Sequence, residues 1–443
     1  MSNMPVPEKQ WFGHPRGLST LFFTEMWERF SYYGMRALLM LYMTKSVALG
    51  GLGFSTQRAG PIYGWYTSSV YGLAILGGLF ADRLFGLYRS VLVGGIIIAL
   101  GHFSMAYPSE KTFFLGLILI AIGTGLLKPN VSSMVGTLYN KEDKRRDAGF
   151  SVFYMGINLG ALIAPLICGP LGERVNWHIG FGAAGIGMTA GVIQYIAGKR
   201  YLIGAEAPRT DSAAAREEHR TSTGPKTPFT SAEWARIGVI GILFVFSALF
   251  WMAFEQAGSS LNLFADRYTD RHVFGWDIPA SVLQTLQPLF IVIIAPIFAW
   301  IWLRLGRYEP SSPSKFSLGL IFVGLGMMLL VPASRIAQSQ NMKVSMWWLV
   351  GVYLLHTIGE LCLSPVGLSV VTKLAPPRIV GFMMGVWFLS IAVGNKAAGY
   401  AASLFDTMPL PKLFGSVGVM TIVAGFILMM LVVPIKRLMH GVK

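Results

Sequence analysis

The segment TEMWERFSYYGMRALLMLY, residues 24–42, places four charged side chains inside an otherwise apolar run. Polar and charged side chains recur in it at i, i+4, i+7, i+8 and i+11, which puts them on one face of an α-helix. These positions are Glu25, Arg29, Tyr32, Tyr33 and Arg36. Lipid does not tolerate such a face, so we expect it to line a protein interior or a water-filled cavity. The segment therefore predicts one helix of a larger membrane bundle.

The composition of the whole chain agrees with a membrane protein. Of 443 residues, 53% are apolar and 13% are charged, against about 25% charged in an average soluble domain. Mean hydropathy is +0.56. These values exclude a disordered chain, a collagen, a coiled coil and an ordinary cytosolic enzyme. The two cysteines, Cys168 and Cys362, lie in apolar segments and imply neither a disulfide framework nor a cysteine-based metal site.

Twelve segments are long and apolar enough to cross a bilayer, which requires about 20 residues. Their approximate limits are 17–46, 58–80, 89–107, 112–139, 147–170, 178–203, 234–265, 279–304, 314–333, 345–374, 379–405 and 413–438. The longest polar stretch, 204–233, has the composition of a linker. We therefore predict an all-α integral membrane protein with a six-helix bundle at 1–203, a cytoplasmic linker at 204–233 and a second six-helix bundle at 234–443.

The distribution of Lys and Arg predicts the orientation. With a cytoplasmic N-terminus, 23 of the 36 basic residues fall in inner segments, nine in outer segments and four inside the spans. Both termini and the linker are therefore expected in the cytoplasm, and the chain in the cell inner (plasma) membrane. The formal charge of +15 then follows from topology, and no nucleic-acid partner is expected. No cleavable signal peptide is predicted, because residues 1–16 lack an apolar run.

A weak internal repeat fits this division. The sequence IGTGLLKPNVSSMV, 122–135, aligns with IGELCLSPVGLSVV, 358–371, at an offset of 236 residues. Chance similarity between glycine- and leucine-rich helices is the alternative. Duplicated halves are common in transporters, whose substrate site lies between the halves near the middle of the membrane.

Charges inside the spans are functional-site candidates, because burying them in lipid is costly. The acids are Glu25, Glu28, Glu255 and Glu360, and the bases are Arg29, Arg36, Lys128 and Lys396. Apart from the first-span group, none has an opposite charge within a turn, so partners are expected on other helices. Static ion pairs that only lock helices together are the alternative, and Lys396 is better explained by snorkelling to the interface.

Polar and aromatic side chains accompany these charges in other spans. They are Tyr71, Asn158, Gln284, Gln287 and Trp387. Singly, each is more typical of helix packing. Together with the charges they indicate a cavity that carries both signs, amide groups and aromatic walls. Such a cavity suits a zwitterion with variable apolar groups, which is a description of a short peptide.

Three motifs resemble the proton-coupled oligopeptide transporters, a branch of the major facilitator superfamily. EMWERFSYYG, 25–34, is similar to the family's E-x-x-E-R-F-x-Y-Y signature in helix 1. FYMGINLGAL, 153–162, is similar to its F-Y-x-x-I-N-x-G signature in helix 5. GGLFADRLFGLYRS, 77–90, resembles the superfamily loop between helices 2 and 3. The resemblance extends in the expected order from residue 25 to about residue 370.

The resemblance implies a role for each matching residue. Proton coupling is implied for Glu25, Glu28, Arg29 and Glu255. Substrate binding is implied for Tyr33, Arg36, Tyr71, Lys128, Asn158, Glu255, Gln287, Glu360 and Trp387. Gating salt bridges are implied between Arg36 and Glu255 and between Lys128 and Glu360. The sequence departs from the family at Gln287, where an asparagine often precedes the proline, so substrate preference there is open. The linker is also too short and too polar for the two extra helices of many bacterial members, so we expect twelve helices.

The resulting hypothesis is a non-enzymatic symporter that imports di- and tripeptides with protons by alternating access, as a functional monomer. Protons are the coupling ion, and no metal or other cofactor is expected. The main alternative is a major facilitator carrier of another solute, such as a drug exporter or a carrier of nitrate or another anion. A membrane enzyme has little support, because no paired Ser/His or metal-spaced His motif occurs. A channel is compatible with composition alone.

Overall fold

The computed structural model describes residues 10–139, 143, 145–202 and 228–439. In these ranges the chain forms twelve helices of 20 residues or more, and the protein is an all-α membrane protein. In chain order they are α1 Gly17–Thr44, α2 Thr56–Phe80, α3 Gly86–Met105, α4 Glu110–Thr137, α5 Arg146–Pro170, α6 Trp177–Ala197, α7 Ser231–Phe254, α8 Leu286–Leu305, α9 Ser312–Gln340, α10 Trp347–Leu374, α11 Val380–Ser403 and α12 Leu410–Leu438. Each predicted span overlaps one of them.

Short elements connect or extend the long helices. π-helical turns at Ala81–Phe85 and Leu171–Val175 join α2 to α3 and extend α5. After a 3-10 turn at Glu255–Gly258, the chain continues from α7 as the short helix Ser260–Tyr268. Six two-residue strands form three pairs. They are β1 Gln10–Trp11 with β2 His14–Pro15, β3 Thr269–Asp270 with β6 Val344–Ser345, and β4 His272–Val273 with β5 Trp276–Asp277.

Three boundaries differ from the sequence prediction for identifiable reasons. α7 begins before residue 234 because Thr230 and Glu233 form a reciprocal capping box around its first turn. α9 extends beyond residue 333 through polar turns and ends at Asn341, which adopts a left-handed conformation (φ 49°, ψ 40°). The start of the eighth span is a 3-10 turn, Ala280–Thr285, rather than α-helix. Most of the predicted linker, 204–227, lies outside the described residues.

In the described ranges, ten helical segments are apolar and long enough to cross a membrane by length and composition. One of them, Thr56–Met105, has 50 residues and contains both α2 and α3. α1 is not among the ten, and it carries the four charges of the first span. The prediction of twelve crossings is compatible with this pattern but stays a prediction.

The chain divides into two compact units whose boundaries fall inside helices. The first comprises Met1–Met35 and Gly72–Ser222, and the second Arg36–Tyr71 and Thr223–Lys443. The later part of α1 and the earlier part of α2 therefore group with the C-terminal half of the chain. The division of the sequence into bundles at 1–203 and 234–443 stays a prediction.

One glycine contact of the first unit has an equivalent in the second. A Cβ on Gly123 of α4 would lie 2.6 Å from the carbonyl oxygen of Gly94 and 2.9 Å from the nitrogen of Ile98, both on α3. A Cβ on Gly359 of α10 would lie 2.8 Å from the carbonyl oxygen of Gly319 and 3.3 Å from the nitrogen of Val323, both on α9. Gly123 and Gly359 are aligned in the predicted repeat, so the two segments pack in the same way.

This contact predicts that Gly123→Leu destabilises the protein. The added side chain would meet the backbone of α3, which cannot move aside as a flexible side chain can, and overpacking of this kind costs about 1–3 kcal/mol or more. Thermal unfolding of the purified protein in detergent measures the effect. Gly78→Leu is the matched control, because a Cβ at Gly78 meets nothing within 4 Å. Equal unfolding temperatures for the two variants would contradict the prediction.

Candidate functional site

Three charged side chains of α1 form one buried cluster in the first unit. The Arg29 guanidinium pairs through Nε with Glu25 Oε1 at 3.2 Å and also with the Glu28 carboxylate. Exposure of the three residues is 2% or less. α5 approaches this turn closely, because a Cβ on Gly160 would lie 3.0 Å from the Cβ of Arg29. These three charged residues of the first span therefore form one packed ionic cluster.

The hydrogen-bonding capacity of this cluster is not used up. Within the described ranges, Glu25 Oε2, Glu28 Oε1 and Arg29 Nη2 are buried without a hydrogen-bond partner. Lys128 of α4, in the same unit, acts electrostatically on the Glu25 carboxylate. Buried groups with free lone pairs are costly. The cluster can therefore accept a proton, a water molecule or a ligand atom without first breaking its ion pairs.

A second buried cluster lies in the second unit, around the break in α7. Arg36 Nε is 2.8 Å from Glu255 Oε1, and the Tyr63 hydroxyl donates a 2.6 Å hydrogen bond to the same oxygen. Arg36 Nε is also 3.0 Å from the Tyr63 hydroxyl, and its Nη1 is 3.4 Å from Gln284 Oε1. Two donors, from Arg36 of α1 and Tyr63 of α2, therefore converge on one carboxylate oxygen, while Gln284 accepts a hydrogen bond from the guanidinium.

The backbone around Glu255 makes room for this arrangement. Glu255 opens the 3-10 turn Glu255–Gly258, where the α-helical hydrogen-bond pattern stops. A Cβ on Gly258 would lie 2.8 Å from Arg36 Nε and would also collide with the Tyr63 hydroxyl. Only glycine fits there, and the close approach of α1 and α2 to this turn depends on it.

The ends of α1 and α2 beyond Arg36 are fastened to the C-terminal helices by further contacts of the second unit. Lys45 Nζ lies 2.9 Å from Asp266 Oδ2, and Arg271 approaches the same carboxylate at 3.7 Å. Asn262 Nδ2 donates to the carbonyl oxygen of Ala37 at 2.8 Å. On α2, a Cβ on Gly64 would lie 3.0 Å from the Cα of Gly399 on α11. These contacts hold the later part of α1 and the earlier part of α2 against the C-terminal helices.

Glu360 of α10 is partly buried and accepts a 3.0 Å hydrogen bond from Gln287 Nε2 of α8. Both residues belong to the second unit, whereas Lys128 belongs to the first. The implied pair of Lys128 with Glu360 therefore stays a prediction. Gln287, the residue that departs from the family pattern, is the side chain that contacts this carboxylate.

The remaining predicted site residues have varied surroundings. Asn158 is 5% exposed and donates to the carbonyl oxygen of Tyr154 at 3.0 Å. Trp387 is 3% exposed, and its ring packs edge-on against Phe316. Tyr33 and Tyr71 are partly buried on α1 and α2. Their roles in substrate binding stay predictions.

Sequence reasoning did not assign Tyr63, although its hydroxyl completes the cluster around Glu255. A usable signal existed, because Tyr63 precedes Tyr71 by eight residues and lies near the same face of α2. Gln284 was noted only as a polar residue of its span. Lys396 is exposed on α11, with its ammonium 3.8 Å from the centre of the Trp65 ring. The described residues contain no group of three His, Cys, Asp or Glu side chains placed to hold a metal ion.

Comparisons with known proteins agree on one family. A sequence model described as the POT family matches residues 88–217 and 219–420. The chain is 44% identical over 482 residues to the "Uncharacterized transporter YclF" of Bacillus subtilis (strain 168), covering 99% of this chain and 97% of the relative. It is 37% identical over 498 residues to a "Di-/tripeptide transporter" of Lactococcus lactis subsp. lactis (strain IL1403), covering 100% of both. A crystal structure of a peptide transporter POT in complex with sulfate superposes with a TM-score of 0.90 at 39% identity, covering 98% of each chain.

The cluster around Glu255 predicts that Tyr63→Phe lowers stability. The change leaves a buried carboxylate without one of its donors, and a hydrogen bond to a charged group contributes about 1.5–3 kcal/mol. Thermal unfolding should therefore occur at a lower temperature.

Tyr353→Phe is the matched control. Tyr353 of α10 is also fully buried, but its hydroxyl has no hydrogen-bond partner in the part of the chain that the structure describes. We expect this variant to be neutral or slightly stabilised. A Tyr63→Phe variant as stable as the Tyr353→Phe variant would show that the Tyr63 hydroxyl contributes nothing.

Proposed function

The chain belongs to the POT family, and from this premise we propose that it imports di- and tripeptides together with protons. The observation that carries the proposal is the convergence of Arg36 and Tyr63 on Glu255, with Gln284 accepting a hydrogen bond from the same guanidinium. A guanidinium that is paired with one titratable carboxylate can bind a different anion once that carboxylate is protonated. The printed names of relatives, including the di-/tripeptide transporter of Lactococcus lactis, support peptide as the substrate.

The proposed role of Glu255 is to hold Arg36 until a proton arrives. Protonation removes the negative charge that attracts the guanidinium, 2.8 Å away. Arg36 can then bind the carboxylate of an incoming peptide, since a guanidinium binds carboxylates with two parallel hydrogen bonds. The Tyr63 hydroxyl can donate to either carboxylate and so accompanies the exchange.

The α1 cluster supports a second proton site in the same mechanism. Glu25 and Glu28 share one guanidinium, and each has an oxygen without a partner in the described ranges. We infer that these carboxylates and Arg29 take part in proton transfer. The further residues that we propose to bind the peptide are Lys128, Asn158, Tyr33, Tyr71, Glu360, Gln287 and Trp387.

The proposed transport cycle is alternating access across the inner (plasma) membrane by a monomer. All twelve long helices would cross the membrane, with both termini in the cytoplasm. The contacts that close one end of the second unit, from Arg36 to Gly64, would form on the outer side and separate when the carrier opens outward. Transport rather than catalysis is proposed, with protons as the coupling ion and no other cofactor.

The energy available is sufficient for accumulation. One proton supplies about 2.3 kcal/mol per 100 mV of membrane potential and about 1.4 kcal/mol per unit of pH difference. Together these support on the order of a hundredfold accumulation or more.

The test uses proteoliposomes with an imposed inward proton gradient and a pH-sensitive dye inside. Adding di-alanine should acidify the interior in the wild-type protein, and Glu255→Gln should abolish this peptide-dependent signal. Glu110→Gln is the matched control, because it makes the same chemical change at an exposed position in the first turn of α4.

The outcomes separate the parts of the proposal. Acidification that survives Glu255→Gln would retain coupled peptide import and move the proton site toward Glu25 or Glu28. If a folded wild-type protein gives no peptide-dependent signal, coupled import of this peptide is wrong, and a carrier of a drug or an inorganic anion becomes the leading hypothesis.

The contact between Gln287 and Glu360 gives a prediction about substrate binding. Gln287→Ala should raise KM for dipeptides about tenfold, because the Glu360 carboxylate loses a hydrogen bond from an uncharged donor. The maximal rate should change much less. Gln194→Ala is the control, since Gln194 lies on α6 and, among the described residues, its side chain hydrogen-bonds with Thr20 and Thr24. Equal KM values for the two variants would remove Gln287 from the substrate site.

A further inference from the structure

One end of the first unit carries two arginines stacked on the same aromatic ring. Arg16 Cζ lies 4.6 Å from the centre of the Tyr201 ring, and Arg200 Cζ lies 4.8 Å from it. Lys199, next in the chain, places its ammonium 5.4 Å from the centre of the Tyr88 ring. The residues come from the start of α1, the turn after α6 and the first turn of α3, so three helices meet there.

The packing fixes this arrangement. A Cβ on Gly17 would lie 2.6 Å from the carbonyl oxygen of Tyr201, so the first turn of α1 rests directly on that residue. The Ser19 hydroxyl donates to the carbonyl oxygen of Arg16 at 2.8 Å. Tyr88 in turn stacks on Tyr195 with ring centres 4.8 Å apart. Both guanidiniums are therefore held against the ring of Tyr201 by the fold.

No carboxylate neutralises these two arginines in the part of the chain that the structure describes. Arg145, at the same end of the unit, is different. It binds both oxygens of Asp143, at 2.8 Å and 3.1 Å, and hydrogen bonds from its side chain lower the pKa of Asp143. Stacking on an aromatic face leaves the N–H groups at the edge of a guanidinium free. Guanidinium edges that are free in this way are suited to the oxygens of a phosphate group.

A second feature at this end indicates where the phosphate comes from. The hairpin of β1 and β2, which immediately precedes Arg16, turns through Phe12 and Gly13 at φ 49° and 79°. Phenylalanine is unfavourable in this left-handed conformation, yet the side chain of Phe12 is 88% exposed. Contacts of His14 with Tyr139, at 2.9 Å, and of Arg145 with the Gly13 carbonyl, at 3.0 Å, hold the hairpin against the unit.

An exposed aromatic side chain beside basic residues at the end of membrane helices is typical of the lipid–water interface. We propose that Arg16, Arg200 and Tyr201, with Lys199, form a binding site for the phosphate of an anionic phospholipid, and that Phe12 inserts beside it into the same leaflet. The shared chemistry is that of any phosphate, but the exposed Phe12 and the position at the helix ends favour a lipid over a soluble ion. This site lies apart from Glu255 and Glu360, and it goes beyond peptide transport.

The test is native mass spectrometry of the full-length protein released from detergent with phosphatidylglycerol or phosphatidylcholine. The wild type should retain phosphatidylglycerol preferentially. The double variant Arg16→Gln/Arg200→Gln should lose affinity for it about 20-fold, since each basic residue near an anionic lipid contributes a factor of about five. Lys111→Gln/Arg174→Gln is the matched control: it removes the same charge from two exposed residues at the opposite end of the same unit and should leave the preference intact.

Further variants keep the proposal testable if the double variant does not fold. Arg200→Gln alone changes an exposed side chain and should weaken phosphatidylglycerol binding about fivefold. Tyr201→Leu should weaken it as well, whereas Tyr201→Phe should preserve it, because only the ring is required for stacking. Equal retention of the two lipids by the wild type, or an unchanged preference in the arginine variants, would overturn the proposal. Loss of the phosphatidylglycerol preference in millimolar inorganic phosphate would assign the site to a soluble phosphate instead and overturn the lipid assignment.

Discussion

A charge in the interior of a membrane protein must find its partner inside the protein, because lipid supplies none. Arg36 and Glu255 satisfy this constraint together, 2.8 Å apart and 5% and 7% exposed. Much of the second unit is arranged around the pair. The α-helical hydrogen bonds of α7 stop at residue 255, and Gly258 leaves space there for the side chains of Arg36 and Tyr63. The Tyr63 hydroxyl is a second donor to the Glu255 carboxylate. The pair therefore joins α1 and α2 to the turn that follows α7.

The glycines explain how polar clusters are kept together without a hydrophobic driving force between helices. In lipid, association depends on close packing and interhelical hydrogen bonds. Gly94 and Gly123 allow α3 and α4 to touch through their backbones, and Gly60 and Gly64 do so for α2 against Gly399. The first contact lies within the N-terminal half of the sequence. The second joins an early helix to a late one, and it belongs to the closed end of the second unit.

The boundary between the compact units falls inside α1 and α2. It passes between Met35 and Arg36 in α1 and between Tyr71 and Gly72 in α2. The α1 cluster of Glu25, Glu28 and Arg29 therefore lies on one side and Arg36 on the other, only seven residues later. One continuous helix thus joins the two candidate proton sites.

The sequence by itself determined the helical membrane fold, the approximate positions of the twelve long helices and the charged side chains that lie inside them. Hydropathy over about 20 residues and the penalty for buried charge are local properties, readable one segment at a time. The motifs of the first and fifth spans together indicated the family. Only the tertiary structure decided that Tyr63 and Gln284 join Arg36 at Glu255, that Gln287 binds Glu360, and that two arginines share the ring of Tyr201. These contacts join residues far apart in the chain, and each depends on how neighbouring helices rotate and approach, which the periodicity of a single helix does not specify.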